Sequence, residues 1–350
     1  MTANRVLRAG LIGLGRMGRH HARILRQLDH VTLAAAADPA GDPYRAADGI
    51  PVLPGLDDLL AAGIDYAVLA CPTGLHETLG MRLAAAGVPT LIEKPLAPDA
   101  DAARRLAAAF EAASVPAAVG YIERFNPALI AMRTRLGDGQ LGGIFQIGTR
   151  RTGPFPARIT DVGVVQDLAT HDLDLSSWVT GQHYTEIAAR TAHLSGRPHE
   201  DLLAAIGVLD GNTIAHHLVN WLSPLKERTV IVTGVNGCLA ADTLTADLTY
   251  WANGTEPTQW DALSAFRGVT EGDVIRYAIK KKEPLLAEHE AWRDTVLGEP
   301  ASITPVQHGV NAILVAEAAL EAARTGTTVP IPAPEYAGLA YTPTSNSATA

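Results

Sequence analysis

The chain has 350 residues, 47% apolar and 19% charged, a composition that is globular rather than disordered and a length that exceeds what one hydrophobic core usually organises, so two domains are expected. A formal net charge of -9 sets up no positive field for a nucleic-acid backbone or an anionic membrane, so neither is expected as a partner. Cys71 and Cys238 stand in no CxxC pair or Cys/His cluster, the longest apolar stretches are too short to span a bilayer, and Met1 to Arg8 lacks a signal-peptide core, so no disulfide or metal and a cytoplasmic location are expected.

In chain order, Arg8 to Leu14 is an apolar run ending in Gly13-Leu14-Gly15-Arg16-Met17-Gly18, after which Met17 to Leu28 has helical spacing. Val31 to Ala37 is a short strand ending at Asp38, and a Pro/Gly/Asp-rich stretch runs from Pro39 to Gly55. Tyr66 to Ala70 reads as a buried strand, Leu75 to Ala86 as a helix, Pro89 to Ile92 as a strand, Asp99 to Ala113 as a helix and Ala117 to Gly120 as another strand. This alternation predicts a parallel sheet covered on both faces.

Beyond about Tyr121 the rhythm changes. A helix is predicted from Pro127 to Leu136, a strand from Ile144 to Arg151 and a helix from Val164 to Val179. Leu202 to Val208 and Thr213 to Trp221 flank Asp210-Gly211, and Arg228 to Gly234 and Cys238 to Thr243 flank Asn236-Gly237; both dipeptides favour hairpin turns. A last helix runs from Gln307 to Arg324. The expected class is α/β: a dinucleotide-binding Rossmann domain over 1–121, an α+β domain over 122–337 and a frayed tail over 338–350.

A lone GxGxxG says little, but this one follows a strand and opens a helix, and Asp38 lies twenty residues past Gly18 at the end of the next strand. Gly13 permits the tight turn, Gly15 lets the backbone approach a pyrophosphate, and Gly18 allows close helix packing. Free N–H groups at the helix start, around Arg16 and Met17, suit the phosphates. Asp38 can accept hydrogen bonds from both ribose hydroxyls and would repel the 2'-phosphate of NADP; no arginine follows at once in Asp38-Pro39-Ala40, although Arg45 is near, so the expected cofactor is NAD.

Three further motifs, Cys71-Pro72-Thr73 with His76, Glu93-Lys94-Pro95, and Asp167-x-x-x-His171, give the chain a resemblance to the Gfo/Idh/MocA oxidoreductases from Arg8 to about Ile331. The resemblance implies that Cys71, Pro72, Thr73 and His76 contact the cofactor, that Glu93 and Pro95 shape a turn, and that Lys94 reaches the reacting oxygen. It also implies a large, mostly antiparallel second-domain sheet whose open face joins subunits into a homodimer or homotetramer. The residues agree with the first part, because open α/β sheets bind ligands at the carboxyl ends of their strands.

Hydride transfer from an alcohol needs a base for the hydroxyl proton and groups that hold the oxygen as it becomes a carbonyl. Asp167 and His171 are four residues apart on a predicted helix, hence on one face, with Asp174 and Trp178 continuing it. His171 is the expected general base, Asp167 its orienter or a substrate ligand, and Lys94 a ligand of the same hydroxyl. Asp172 is expected to be solvated, and His20 and His21 to serve in packing or polar capping. His216 and His217 should face opposite sides of a strand, without metal-ligand company.

Between Tyr121 and Thr160 stand Arg124, Arg133, Arg135, Arg150, Arg151 and Arg158 against Glu123 and Asp138, a local balance of 6 - 2 = +4. The segments Gly120 to Pro127 and Gly153 to Ile159 resemble the UDP-N-acetylglucosamine 3-dehydrogenase branch of the family, although Tyr121 stands where many relatives carry histidine. The expected substrate is therefore a nucleotide-diphosphate hexose oxidised at C3, with Tyr121, Arg124, Asn126, Arg151 and Arg158 as candidate contacts. The alternatives are an inositol or free-sugar dehydrogenase, and a non-catalytic NAD-binding regulatory protein that would have no need of Lys94, Asp167 and His171 together.

Overall fold

The first sheet is built on β1 (Leu7–Ile12), five of whose six residues are buried, as a strand covered on both faces requires. Around it the strands β2 (Val31–Ala37), β3 (Val52–Leu53), β4 (Tyr66–Leu69), β5 (Thr90–Glu93) and β6 (Ala117–Gly120) pair in parallel in the order β3-β2-β1-β4-β5-β6. Helices α1 (Arg16–Gln27), α2 (Leu56–Ala61), α3 (His76–Ala85) and α4 (Ala100–Ala113) connect them. Asp99 caps α4 by accepting the Ala102 N–H at 2.8 Å. The helix α2 falls just past the stretch read as loop; six residues are too few for a periodic signal.

The computed structural model describes residues 5–155, 162–254 and 271–334; the tail beyond Ala337 lies outside them. The chain divides into two units, Met1–Phe125 with Lys282–Leu314, and Asn126–Lys281 with Val315–Ala350. This departs from the contiguous division expected at Tyr121. Helix α7 (Pro284–Val296), which the sequence reading did not identify, returns to the first unit and buries Trp292 completely among Leu7, Leu11, Tyr66 and Val68. A buried tryptophan is a large apolar contribution, and it fixes which unit the segment joins.

Among the described residues of the second unit, nine strands form one sheet in the order β14-β13-β12-β11-β7-β10-β9-β8-β15. They are β7 (Ile144–Pro154), β8 (Tyr184–Ala192), β9 (Leu202–Leu209), β10 (Ile214–Asn220), β11 (Leu222–Gly234), β12 (Gly237–Asp242), β13 (Asp247–Asn253), β14 (Glu271–Arg276) and β15 (Val329–Pro330). Only the β7/β10 pair is parallel. Leu129 and Met132 of α5 (Pro127–Gly137), Leu175 and Val179 of α6 (Thr170–Thr180), and Ala319 of α8 (Val306–Thr325) share one core with Ile147, Leu203 and Val232 of the sheet. The outer face carries exposed Phe145, Ile206, Ile214, Ile231 and Trp251.

Both predicted hairpins form, with turns displaced from the dipeptides that signalled them. In the β9/β10 turn the positive φ of 56° belongs to Asn212 rather than Gly211. In the β11/β12 turn Gly234 pairs with Gly237, so Val235 and Asn236 make the loop and Gly237 opens the strand.

Candidate active site

In the first unit the glycine turn sits at the carboxyl end of β1. Gly13 has φ of +94°, and a β-carbon there would stand 2.6 Å from the Ala70 carbonyl oxygen. At Gly18 the same atom would stand 1.9 Å from the Gly13 carbonyl oxygen. Gly15 differs: nothing lies within 4 Å of where its β-carbon would be. The fold itself places no demand on glycine at that position, and open space over backbone at the start of α1 is what a close-lying pyrophosphate needs. The first turn of α1, with Arg16 and Met17, holds no acidic side chain that would compete with an anion.

Asp38, at the end of β2, accepts the Leu14 N–H on Oδ2 and the Ala40 N–H on Oδ1, both at 2.8 Å. It braces the glycine turn, and each oxygen keeps a second lone pair. After β4, Pro72 leads from Cys71 into a 3-10 turn over Thr73–Leu75. Burial pushes the Cys71 thiol up to about 12, so this cysteine is no nucleophile at neutral pH. His76 is buried, with Nε2 at 3.0 Å from the Cys71 oxygen and Nδ1 at 3.0 Å from the Pro95 oxygen. The imidazole ties the loop after β4 to the loop after β5.

Glu93 ends β5, its Oε1 at 2.8 Å from His21 Nε2 and its Oε2 accepting the Lys94 backbone N–H at 3.1 Å. Burial opposes the charged form, but the His21 hydrogen bond and the Lys94 charge outweigh it and hold the carboxyl below its usual range. Lys94 itself is half-buried and precedes a cis peptide bond to Pro95. Tyr121 is buried. Arg124 is also buried and donates to His308 Nδ1 at 2.9 Å.

In the second unit, the expected single helix from Val164 begins instead with one π turn, Val165–Ala169, and becomes α-helical at Thr170. Asp167 lies in the π turn and His171 in the first α turn, the former half-buried and the latter buried, as is Asp174. Such π turns concentrate at functional sites, because they re-aim side chains within an otherwise regular helix. Asp172 is not solvated as expected: it is buried and takes the Arg151 Nε–H at 2.8 Å. His216 is exposed and His217 buried between Thr149 Oγ1 and Tyr184 OH, both at 2.7 Å, a satisfied core histidine.

Five arginines of the arginine-rich stretch have partners within the protein, two of them carboxylates. Arg124 and Arg151 are engaged as described, Arg150 pairs with Glu227 at 2.8 Å, and Arg133 and Arg135 lie over the Trp178 and Tyr277 rings. Asn126 caps α5, accepting the Ala128 N–H at 3.1 Å and donating to the Thr243 oxygen at 2.9 Å. Arg158 lies outside the described residues. Two of the six arginines thus meet carboxylates, Glu227 and Asp172, that come from distant elements. The sequence reading also missed His289 and Glu288, buried beside Glu93; His289 meets His21 across 268 residues, a distance at which sequence carries no local signal.

Residues 7–121 match the model described as an oxidoreductase family with an NAD-binding Rossmann fold, and residues 129–240 match the GFO/IDH/MocA C-terminal domain. Inositol 2-dehydrogenase 4 of Saccharopolyspora erythraea is 34% identical over 196 residues, 54% of this chain and 58% of that protein. A UDP-N-acetylglucosamine 3-dehydrogenase of Acidithiobacillus ferrooxidans is 31% identical over 216 residues, 60% of this chain and 66% of that protein. The solved structure of that organism's enzyme, GnnA, superposes with a TM-score of 0.79 at 24% identity, covering 91% of this chain and 98% of that one. The WlbA dehydrogenase of Bordetella pertussis, solved with NADH and UDP-GlcNAcA, has a TM-score of 0.78 at 23% identity, covering 94% and 99%. The chain spans about three fifths of the length of the first curated relatives it matches, 61% and 58%.

Proposed function

Because the chain belongs to the Gfo/Idh/MocA oxidoreductase family, whose NAD-binding domain it carries, we propose that it is a cytoplasmic dehydrogenase oxidising a secondary hydroxyl on a sugar-like ring. The observation that carries the reading is the pairing of a glycine turn left open at Gly15 with a Glu93-held Lys94 at the end of β5. In this reading the N–H groups at the start of α1 hold the pyrophosphate, Asp38 holds the ribose, and the loops joined by His76 line the rest of the cofactor. Bound NAD supplies the acceptor for the hydride that leaves the carbinol carbon. Lys94 holds the hydroxyl oxygen, and its positive charge favours the alkoxide character that develops there. His171 takes the hydroxyl proton, and Asp167 orients it or holds the substrate. Proton and hydride together account for the two hydrogens lost as alcohol becomes ketone.

The finer reading is that the substrate is a nucleotide-diphosphate hexose oxidised at C3. Its support is the likeness to the UDP-N-acetylglucosamine 3-dehydrogenase in both sequence and fold. A second reading, an inositol dehydrogenase, is favoured by the comparable identity to inositol 2-dehydrogenase and by Arg124, Arg151 and Asn126 being engaged within the protein. Incubation with NAD and either UDP-N-acetylglucosamine or myo-inositol separates them: absorbance of NADH reports turnover, and mass spectrometry reports the product lighter by two hydrogens. Turnover of myo-inositol with a panel of nucleotide sugars inert would overturn the finer reading and leave the coarser one intact. The exposed Phe145, Ile206, Ile214, Ile231 and Trp251 make the outer sheet face the proposed surface of a homodimer or homotetramer, which light scattering tests.

A further inference from the structure

Three titratable side chains from distant parts of the chain meet inside the first unit: His21 on α1, Glu93 at the end of β5 and His289 on α7. His21 and His289 are fully buried, and replacing such a polar set with apolar side chains would ordinarily be the cheaper way to fill a core. The geometry gives the set a direction. Glu93 is an acceptor, so the His21 nitrogen 2.8 Å from it, Nε2, carries the proton. His21 Nδ1 lies 2.8 Å from His289 Nε2, and with one proton on each ring His289 Nε2 is the donor of that pair. Burial holds His289 well below its ordinary range, which keeps that ring neutral. Burial and the nearby Glu93 raise Glu288 well above its own range, so no second negative charge competes for the imidazoles.

We propose that His21 and His289 are positioning residues for Lys94. Their hydrogen bonds run one way, from His289 through His21 to Glu93, and fix the carboxylate so that its other oxygen holds the Lys94 backbone N–H. The proposal rests on Lys94 acting on the substrate oxygen, as argued above, and the two fail separately under the following tests.

His289→Leu removes the first donor of the chain, whereas His289→Gln returns an N–H near the position of Nε2. With whichever of UDP-N-acetylglucosamine and myo-inositol the protein oxidises, His289→Leu is expected to lower kcat about tenfold while KM and the NAD dissociation constant stay within about twofold, and His289→Gln to recover most of the loss. Hydrogen exchange read at the Lys94 amide needs no substrate: it should quicken in His289→Leu, return in His289→Gln, and leave the amides of β1 and β4 unmoved. Long-range nitrogen-proton NMR of the unsubstituted protein should show both rings protonated at Nε2. A proton on Nδ1 of either ring, or unchanged Lys94 exchange in a folded His289→Leu protein, would overturn the proposal. Normal turnover in Lys94→Ala would instead overturn the role given to Lys94 and leave the exchange and tautomer results to judge the chain.

Discussion

The carboxylate of Asp38 receives the backbone N–H of Leu14 at 2.8 Å, so the residue expected to choose the cofactor also braces the turn that binds it. NAD is expected to bind more tightly than NADP, and Asp38→Ala to narrow the gap. A hydrogen bond to a charged group is worth roughly 1.5–3 kcal/mol, so NAD affinity should fall about 10- to 100-fold. Calorimetric titration of both cofactors checks this; tighter NADP binding by the unsubstituted protein would refute it.

The three glycines of the turn should separate stability from binding. Gly18→Ala drives a β-carbon into the Gly13 carbonyl, and its melting temperature should drop markedly. Gly15→Ala meets no atom, so it should melt near normally and lose NAD affinity instead. Equal melting losses in both variants would contradict the reading of Gly15.

His171→Ala is expected to lose turnover by roughly 10² or more with little change in NAD affinity, as removal of a general base should. Single-turnover measurements with NAD would reveal whether the loss lies in the chemical step. Near-normal turnover would move the base elsewhere.

Arg151 and Asp172 form a buried ion pair, and Arg151→Met would strand the aspartate in the core. Breaking such a pair costs about 3–5 kcal/mol, whereas the double variant Arg151→Met with Asp172→Leu should be nearly neutral. Urea denaturation of the set tests this. A raised KM with unchanged stability in Arg151→Met would mark the residue as a substrate contact.

Acid should destabilise the protein partly through His217, which burial pushes down to about 3 from an ordinary 6.5. The unfolded chain then binds the proton that the folded one refuses, so stability rises with pH between these values and is lost as pH falls below about 6.5. The contribution is about 5 kcal/mol at most. Stability curves for His217→Asn should show a shallower acid limb than the parent; identical limbs would exclude His217 as a source.

The parts of the site legible in sequence are those whose signal is local. Gly13 to Gly18 and Asp38 lie within one strand-helix-strand unit, and apolar periodicity placed β2 and β6 at their observed bounds. The partners of the arginines, Glu227, Asp172, His308 and two aromatic rings, could not be read locally because they arrive from other strands and helices. Asp172 was expected in solvent because helical spacing says which residues share a face, but not what covers that face. The π turn at Asp167 has no composition of its own, and His289 carries no mark in sequence that ties it to His21.

The return of Lys282–Leu314 to the first unit sets an order on synthesis. A ribosome that has released residues 1–125 has made every strand of the parallel sheet, yet Trp292, which fills its core beside Leu7 and Tyr66, is still unmade. At roughly 5–20 residues per second the nascent sheet waits many seconds, with apolar surface uncovered, while β7 to β14 of the second sheet emerge. The chain must thus make residues 126–281 of its second unit before its first can close. A chaperone that shields apolar surface would find its longest opportunity during that interval.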